Sequence, residues 1–243
     1  MNATPSIVLL HGANGSAATM SPLTEALQPA LDVHPLNMLG HGGRPVPEKS
    51  TIADLANDVI AQMDERGLSR AFVFGFSSGG CVALYLVRHY PERFLGLSTL
   101  AAKYVFDRHT VSHWTHLTDP ERLGRPGNKR AAELTETHHP QDWVAVTNAN
   151  RRMFAEFGRN PPVSDDDLCA IGVPALLFCS DEDQLVPLDE TIALGKLIPD
   201  SRVVIFKGRC HPFSIVPMAA MAKAMTTWAG DVQARVLPPK VTG

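Results

Sequence analysis

Gly75-Phe76-Ser77-Ser78-Gly79-Gly80 is the stretch that decides the fold. It follows a compact apolar run, Phe72–Phe74, and opens an apolar helical stretch, Gly79–His89, closed before Pro91. A serine between strand and helix, with glycines at −2 and +2, sits on a strained turn that lifts its Oγ clear of the backbone. The glycines leave room where strand and helix nearly collide. The helix N-terminus adds a positive field beside the hydroxyl. Ser77 has glycines at both offsets, and Ser78 does not. No GK[ST] follows, which excludes a phosphate-binding P-loop.

Outward from this turn the chain alternates apolar runs with helix-like stretches. Ile7–Leu10, Val33–Leu36, Phe72–Phe74, Phe94–Leu100, Val173–Cys179 and Arg202–Phe206 read as strands. Ser21–Gln28, Thr51–Arg66, Gly79–His89, Leu188–Leu197 and Ser214–Trp228 read as helices, with a loose tail expected after Ala229. Six strands separated by helices imply an α/β fold with a mostly parallel six-stranded sheet covered on both faces. Residues 104–165 break the rhythm: they are rich in His, Arg and Asn and carry only a weak helical pattern.

The whole chain of 243 residues suits a single α/β domain, 1–243. With 22 Lys+Arg against 25 Asp+Glu it has no basic field for nucleic acid. The uncharged apolar run Ala71–Val87 is interrupted by glycines and serines, so no membrane span is expected. The four cysteines are widely spaced and form no zinc or disulfide pattern. With an N-terminus lacking a basic, apolar leader, they point to reduced thiols and a cytoplasmic protein.

In such a sheet, ligands meet the loops at the carboxyl ends of the strands. After the first strand comes His11-Gly12-Ala13, whose Ala13 N–H is a candidate oxyanion donor beside that of Ser78. After the fifth come three competing acids, Asp181, Glu182 and Asp183; after the sixth comes His211. A serine, then an acid, then a histidine, each at a strand end, is the order of a nucleophile, an orienting carboxylate and a base.

With these four loops in view the chain resembles the α/β-hydrolase superfamily over about 6–103 and 172–230. The resemblance rests on His11-Gly12, Gly40-His41-Gly42, Gly75–Gly79, and Asp183 four residues before Pro187 with His211 beyond. It implies an esterase-like serine hydrolase with Ser77, Asp183 and His211 as catalytic residues, the N–H groups of Ala13 and Ser78 as the oxyanion hole, and 104–165 as a helical cap. Asp181 stands too close to the strand end and lacks the spacing to Pro187. The chain departs from the family's pattern in beginning at what would be its third strand and in carrying Phe76 where His is common, which makes Phe76 a candidate substrate contact.

Trp143, Met153, Phe154 and Phe157 suit an acyl pocket or the insert's own core, with Trp143 and Phe154 taken as candidate substrate contacts. His109, His113 and His116 share a helical face, but no acid or Cys completes a metal set, so they read as surface, and no metal or cofactor is expected. The expected partner is a small-molecule carboxylic ester. Lactone, thioester or carbon–carbon cleavage, or a receptor with weak turnover, are the alternatives.

Overall fold

The computed structural model of the chain describes residues 4–211 and 213–236. The strands are β1 (Ser6–Leu10), β2 (Asp32–Leu36), β3 (Ala71–Phe76), β4 (Phe94–Leu100), β5 (Ala175–Ser180) and β6 (Ser201–Phe206). They form one sheet in the order β2-β1-β3-β4-β5-β6, and every neighbouring pair is parallel. The helices are α1 (Ser21–Leu27), α2 (Ile52–Glu65), α3 (Ser78–His89), α4 (Arg108–Leu117), α5 (Pro120–Leu123), α6 (Arg130–His138), α7 (Trp143–Phe157), α8 (Asp165–Cys169), α9 (Leu188–Leu197) and α10 (Met218–Val236).

Strand side chains alternate between two cores. β1 sends Val8 and Leu10 to the face packed by α2, α3 and α9, and Ile7 and Leu9 to the face packed by α1 and α10. β3 divides in the same way, Val73 against Phe72 and Phe74. β5 is buried throughout, as a strand covered on both faces must be. β2 is an edge strand and contains Pro35, a residue without an N–H that a sheet tolerates at its margin.

Local chemistry sets the helix ends. Thr51 caps α2: the Asp54 amide donates to Thr51 Oγ1, and the Thr51 amide donates to the Asp54 carboxylate. Gly67, at φ 68°, provides the left-handed residue that ends it. Within the insert, Asp107, Asp119 and Asp142 accept backbone amides at the starts of α4, α5 and α7. These caps, rather than a strong apolar period, mark where the insert's helices begin. Its longest helix, α7, buries Val146, Thr147, Asn150, Met153, Phe154 and Phe157, a stripe at helical spacing.

The last helix differs most from the sequence-based expectation. Pro217 cannot lie inside a helix that starts at Ser214, so Phe213–Ile215 forms a separate 3-10 turn. The Met221 amide donates to the Pro217 carbonyl, and α10 then continues past Trp228, because Ala229 and Val232 bury against the sheet. The tail is helical as far as residue 236, and 237–243 lie outside the described residues. Cys81 and Cys179 are buried, Cys169 and Cys210 exposed, and all four are free thiols. No helix among the described residues is long and apolar enough to cross a membrane.

The insert departs from β4 through a buried ion pair. Lys103 Nζ donates to Glu190 Oε2 at 2.5 Å, and the Tyr104 and Val105 amides donate to Glu190 Oε1 at 3.0 Å. Glu190, in the first turn of α9, thus anchors the chain as it leaves the sheet. Glu190→Ala would leave a buried ammonium and two amides without their acceptor. It should cost about 3–5 kcal/mol in urea unfolding. The exposed pair Arg130–Glu133 provides the control: Glu133→Ala should change stability by less than about 1 kcal/mol.

Candidate active site

The turn between β3 and α3 is built by exclusion. A Cβ on Gly75 would overlap the Gly79 carbonyl, and one on Gly79 would overlap the carbonyls of Leu10 and His11. Backbone therefore meets backbone where a side chain would hold it apart. Between the two glycines, Ser77 adopts φ 53° and ψ −117°, a conformation L-residues rarely take. Its amide donates to the Leu100 carbonyl at 2.9 Å, and its carbonyl accepts from Gly80 and Cys81. Both ends of the strained residue are thus held by the sheet and the helix.

Ser77, Asp183 and His211 come together. Ser77 Oγ lies 3.1 Å from His211 Nε2, and His211 Nδ1 lies 2.7 Å from Asp183 Oδ2. The second Asp183 oxygen accepts the amides of Leu185 and Val186 at 2.8 and 2.9 Å. The carboxylate is thereby oriented, and its side chain is 1% exposed. Nδ1–H donating to Asp183 leaves Nε2 free to accept the Ser77 hydroxyl. Asp181 is placed elsewhere, accepting the Gly208 amide at 2.7 Å in the turn after β6.

A cavity of about 570 Å³ opens beside Ser77 and His211. Gly12, Ala13 and Asn14 line it on the sheet side, and Trp114, Leu117 and Leu123 of α4 and α5 on the insert side. Among the described residues, neither the Ala13 nor the Ser78 amide donates to another backbone carbonyl. Phe76 lines the cavity and stacks obliquely on His211, ring centroids 5.2 Å apart.

Trp143 and Phe154 are not part of this lining. Phe154 is fully buried and packs edge-on against Trp114 at 4.6 Å, so it supports the cavity wall from behind. The residue that faces the cavity is Trp114, which sequence reasoning missed. It sits between His113 and His116 in a helix that otherwise reads as polar surface.

Three further histidines gather behind the first-strand loop. His11 and His41 have ring centroids 5.0 Å apart, and His41 and His138 5.7 Å. His11 Nδ1 donates to the Gly12 carbonyl at 2.8 Å, while Nε2 accepts the Met38 amide. Burial holds His11 well below the usual imidazole range, aided by the nearby His41. Burial likewise brings His41 down to about 4 and lowers His138. No group of three or more His, Cys, Asp or Glu among the described residues is arranged to hold a metal.

These depressed histidines have a consequence for stability. Between pH 6.5 and 4 the unfolded chain binds protons that the folded chain refuses, so stability falls as pH falls. His41 alone, at about 4 against 6.5, is worth on the order of 3 kcal/mol over that window. Urea midpoints should therefore drop steeply from pH 6.5 to 4. The slope for His41→Gln should be shallower by about one proton.

The sequence profile of the family described as "alpha/beta hydrolase fold" matches residues 5–132. A protein of Caulobacter vibrioides named "Putative carbamate hydrolase RutD" is 33% identical over 91% of this chain and 89% of its own length. A "Pimeloyl-[acyl-carrier protein] methyl ester esterase" of Edwardsiella ictaluri is 25% identical over 85% of this chain and 86% of its own. Among solved structures, a thermophilic esterase from Thermogutta terrifontis shares the fold. Its TM-score is 0.75 at 22% identity, over 94% of this chain and 90% of the other. A parallel sheet with a serine forced between β3 and α3, and relatives along nearly its whole length, lead to one conclusion: the chain belongs to the α/β-hydrolase fold family and is a hydrolase.

Proposed function

We propose that the protein cleaves a carboxylic ester or related acyl bond of a small molecule through a covalent acyl-enzyme on Ser77. The observation that carries this reading is the continuous hydrogen-bonded line Ser77 Oγ, His211, Asp183. Ser77 Oγ attacks the carbonyl carbon while its proton passes to His211 Nε2. The carbonyl oxygen takes up negative charge against the N–H groups of Ala13 and Ser78. Collapse expels the leaving group, which receives the proton from His211. Water then attacks the acyl carbon with His211 again as base, releasing the acid and restoring Ser77. Asp183 keeps the proton on Nδ1 and stabilises the imidazolium that forms in each half-reaction.

The cavity suits a small molecule, since sites of about 300–1,000 Å³ are typical for such ligands. Two relatives carry names for an ester and a carbamate, both groups with a carbonyl bearing a heteroatom, which supports acyl transfer as the reaction class. We place the reaction in the cytoplasm, with no metal or organic cofactor taking part.

The test is a fluorophosphonate label together with hydrolysis of p-nitrophenyl acetate. Ser77→Ala should abolish both, and Ser78→Ala should still be labelled. Asp183→Asn should fold and lose on the order of 10⁴ in kcat, because the amide favours the wrong imidazole tautomer. Asp181→Asn keeps the Oδ1 that accepts the Gly208 amide and should stay within roughly tenfold. Labelling that survives in Ser77→Ala would overturn the assignment.

The cavity wall generates a second expectation. Trp114→Ala should enlarge the cavity and raise kcat/KM for longer acyl chains relative to acetate. Phe154→Ala should instead cost about 3–5 kcal/mol of stability, because its ring is core. A panel of p-nitrophenyl esters from acetate to octanoate, with urea unfolding alongside, separates the two.

A further inference from the structure

The insert reaches the loop after β1 through buried polar atoms. Asn150 of α7 donates through Nδ2 to Asn14 Oδ1 at 2.7 Å, and the same nitrogen lies 3.1 Å from His41 Nε2. An amide nitrogen has two hydrogens, so both are used and the orientation of the amide is set. His41 can accept at Nε2 because its Nδ1–H donates to the Leu39 carbonyl at 3.0 Å. On the other side, His138 of α6 accepts the Gly42 amide at Nδ1. The Asn150–Asn14 bond joins residues 136 positions apart in the chain.

The chain ends on a residue that needs holding. Asn14 has φ 55°, is 6% exposed and lines the cavity directly after Ala13. Gly12 and Gly15 bracket Ala13-Asn14. Within the loop, the Gly15 amide donates to the Gly12 carbonyl at 3.0 Å. The insert adds the hydrogen bond to the Asn14 side chain.

We propose that Asn150 is a positioning residue for the reaction: from the insert it holds Asn14, and through Asn14 it sets the Ala13 amide where negative charge develops on the substrate oxygen. The inference rests on the oxyanion role of Ala13 given above. A donor displaced by a fraction of an ångström still permits substrate binding but stabilises the transition state less. The loss should therefore fall on kcat/KM and spare ground-state affinity.

The experiment uses the full chain, Asn150→Leu, Asn14→Gly and the double variant, with p-nitrophenyl acetate as substrate and p-nitrophenol as a ground-state ligand. Asn14→Gly keeps a residue suited to positive φ and leaves the insert's packing untouched, so it reads the bond even if Asn150→Leu folds poorly. Each single variant should lose about 10–100-fold in kcat/KM, less than the roughly 10²–10³ of deleting an oxyanion donor outright. The inhibition constant of p-nitrophenol should stay within about threefold. The double variant should be no worse than the poorer single, since both remove the Asn14–Asn150 bond. Asn14→Gly retaining kcat/KM within twofold, or losses that multiply in the double variant, would overturn the inference while leaving the serine-hydrolase reading standing. A parent chain with neither turnover nor labelling of Ser77 would overturn that reading, and this inference with it.

Discussion

The contact on which the rest of the molecule depends is the approach of α3 to the ends of β1 and β3 at Gly75 and Gly79. There the backbone carbonyls of Leu10, His11 and Gly79 occupy the space any β-carbon would need. This closeness lets α3 run buried through the middle of the protein, Ser78 to Ala83 without an exposed residue. It also leaves Ser77 no relaxed conformation. The positive φ is the cost of connecting a central strand to a helix lying almost against it, and it is distributed into hydrogen bonds from β4 and α3. The Ser77 side chain is aimed by the same packing that forms the core.

The other site residues follow from parallel strands ending on one side. β1, β3, β5 and β6 each deliver one loop to that edge, so residues far apart in sequence arrive within hydrogen-bond range without long excursions. The insert closes the space above them. It is tied down by the buried Lys103–Glu190 pair where it starts and by Asn150 where it crosses the loop after β1.

Much of this was legible in the sequence because backbone constraints leave marks on residue type. Gly75 and Gly79 mark the close approach, Pro187 the start of α9, and Phe94–Leu100 matches β4 end for end. The insert was less legible. Its helices are short and polar, and whether an aromatic faces a cavity or a core depends on helix rotation, which hydrophobicity does not encode. Phe154 turned inward and Trp114, among three histidines, turned to the cavity. Asn14 and Asn150 carried no local signal, because their roles exist only once distant segments meet. The end of α10 was misplaced for a different reason: Pro238 and Pro239 ahead read as a loose tail, whereas Ala229 and Val232 have a surface to cover.

Pro35 has a consequence for how the molecule behaves among its own copies. A sheet whose outermost strand displays a full row of unpaired amides invites another chain to add itself. β2 lacks one of those amides at Pro35, and it carries the charge of Asp32 and the polar ring of His34 at the same margin. A strand arriving there would find an interrupted ladder and a carboxylate to desolvate, so growth of the sheet from this side into an aggregate is disfavoured. The opposite margin, β6, has no proline and exposes Ile205. Of the two flanks of this protein, that is the one more open to self-association at high concentration.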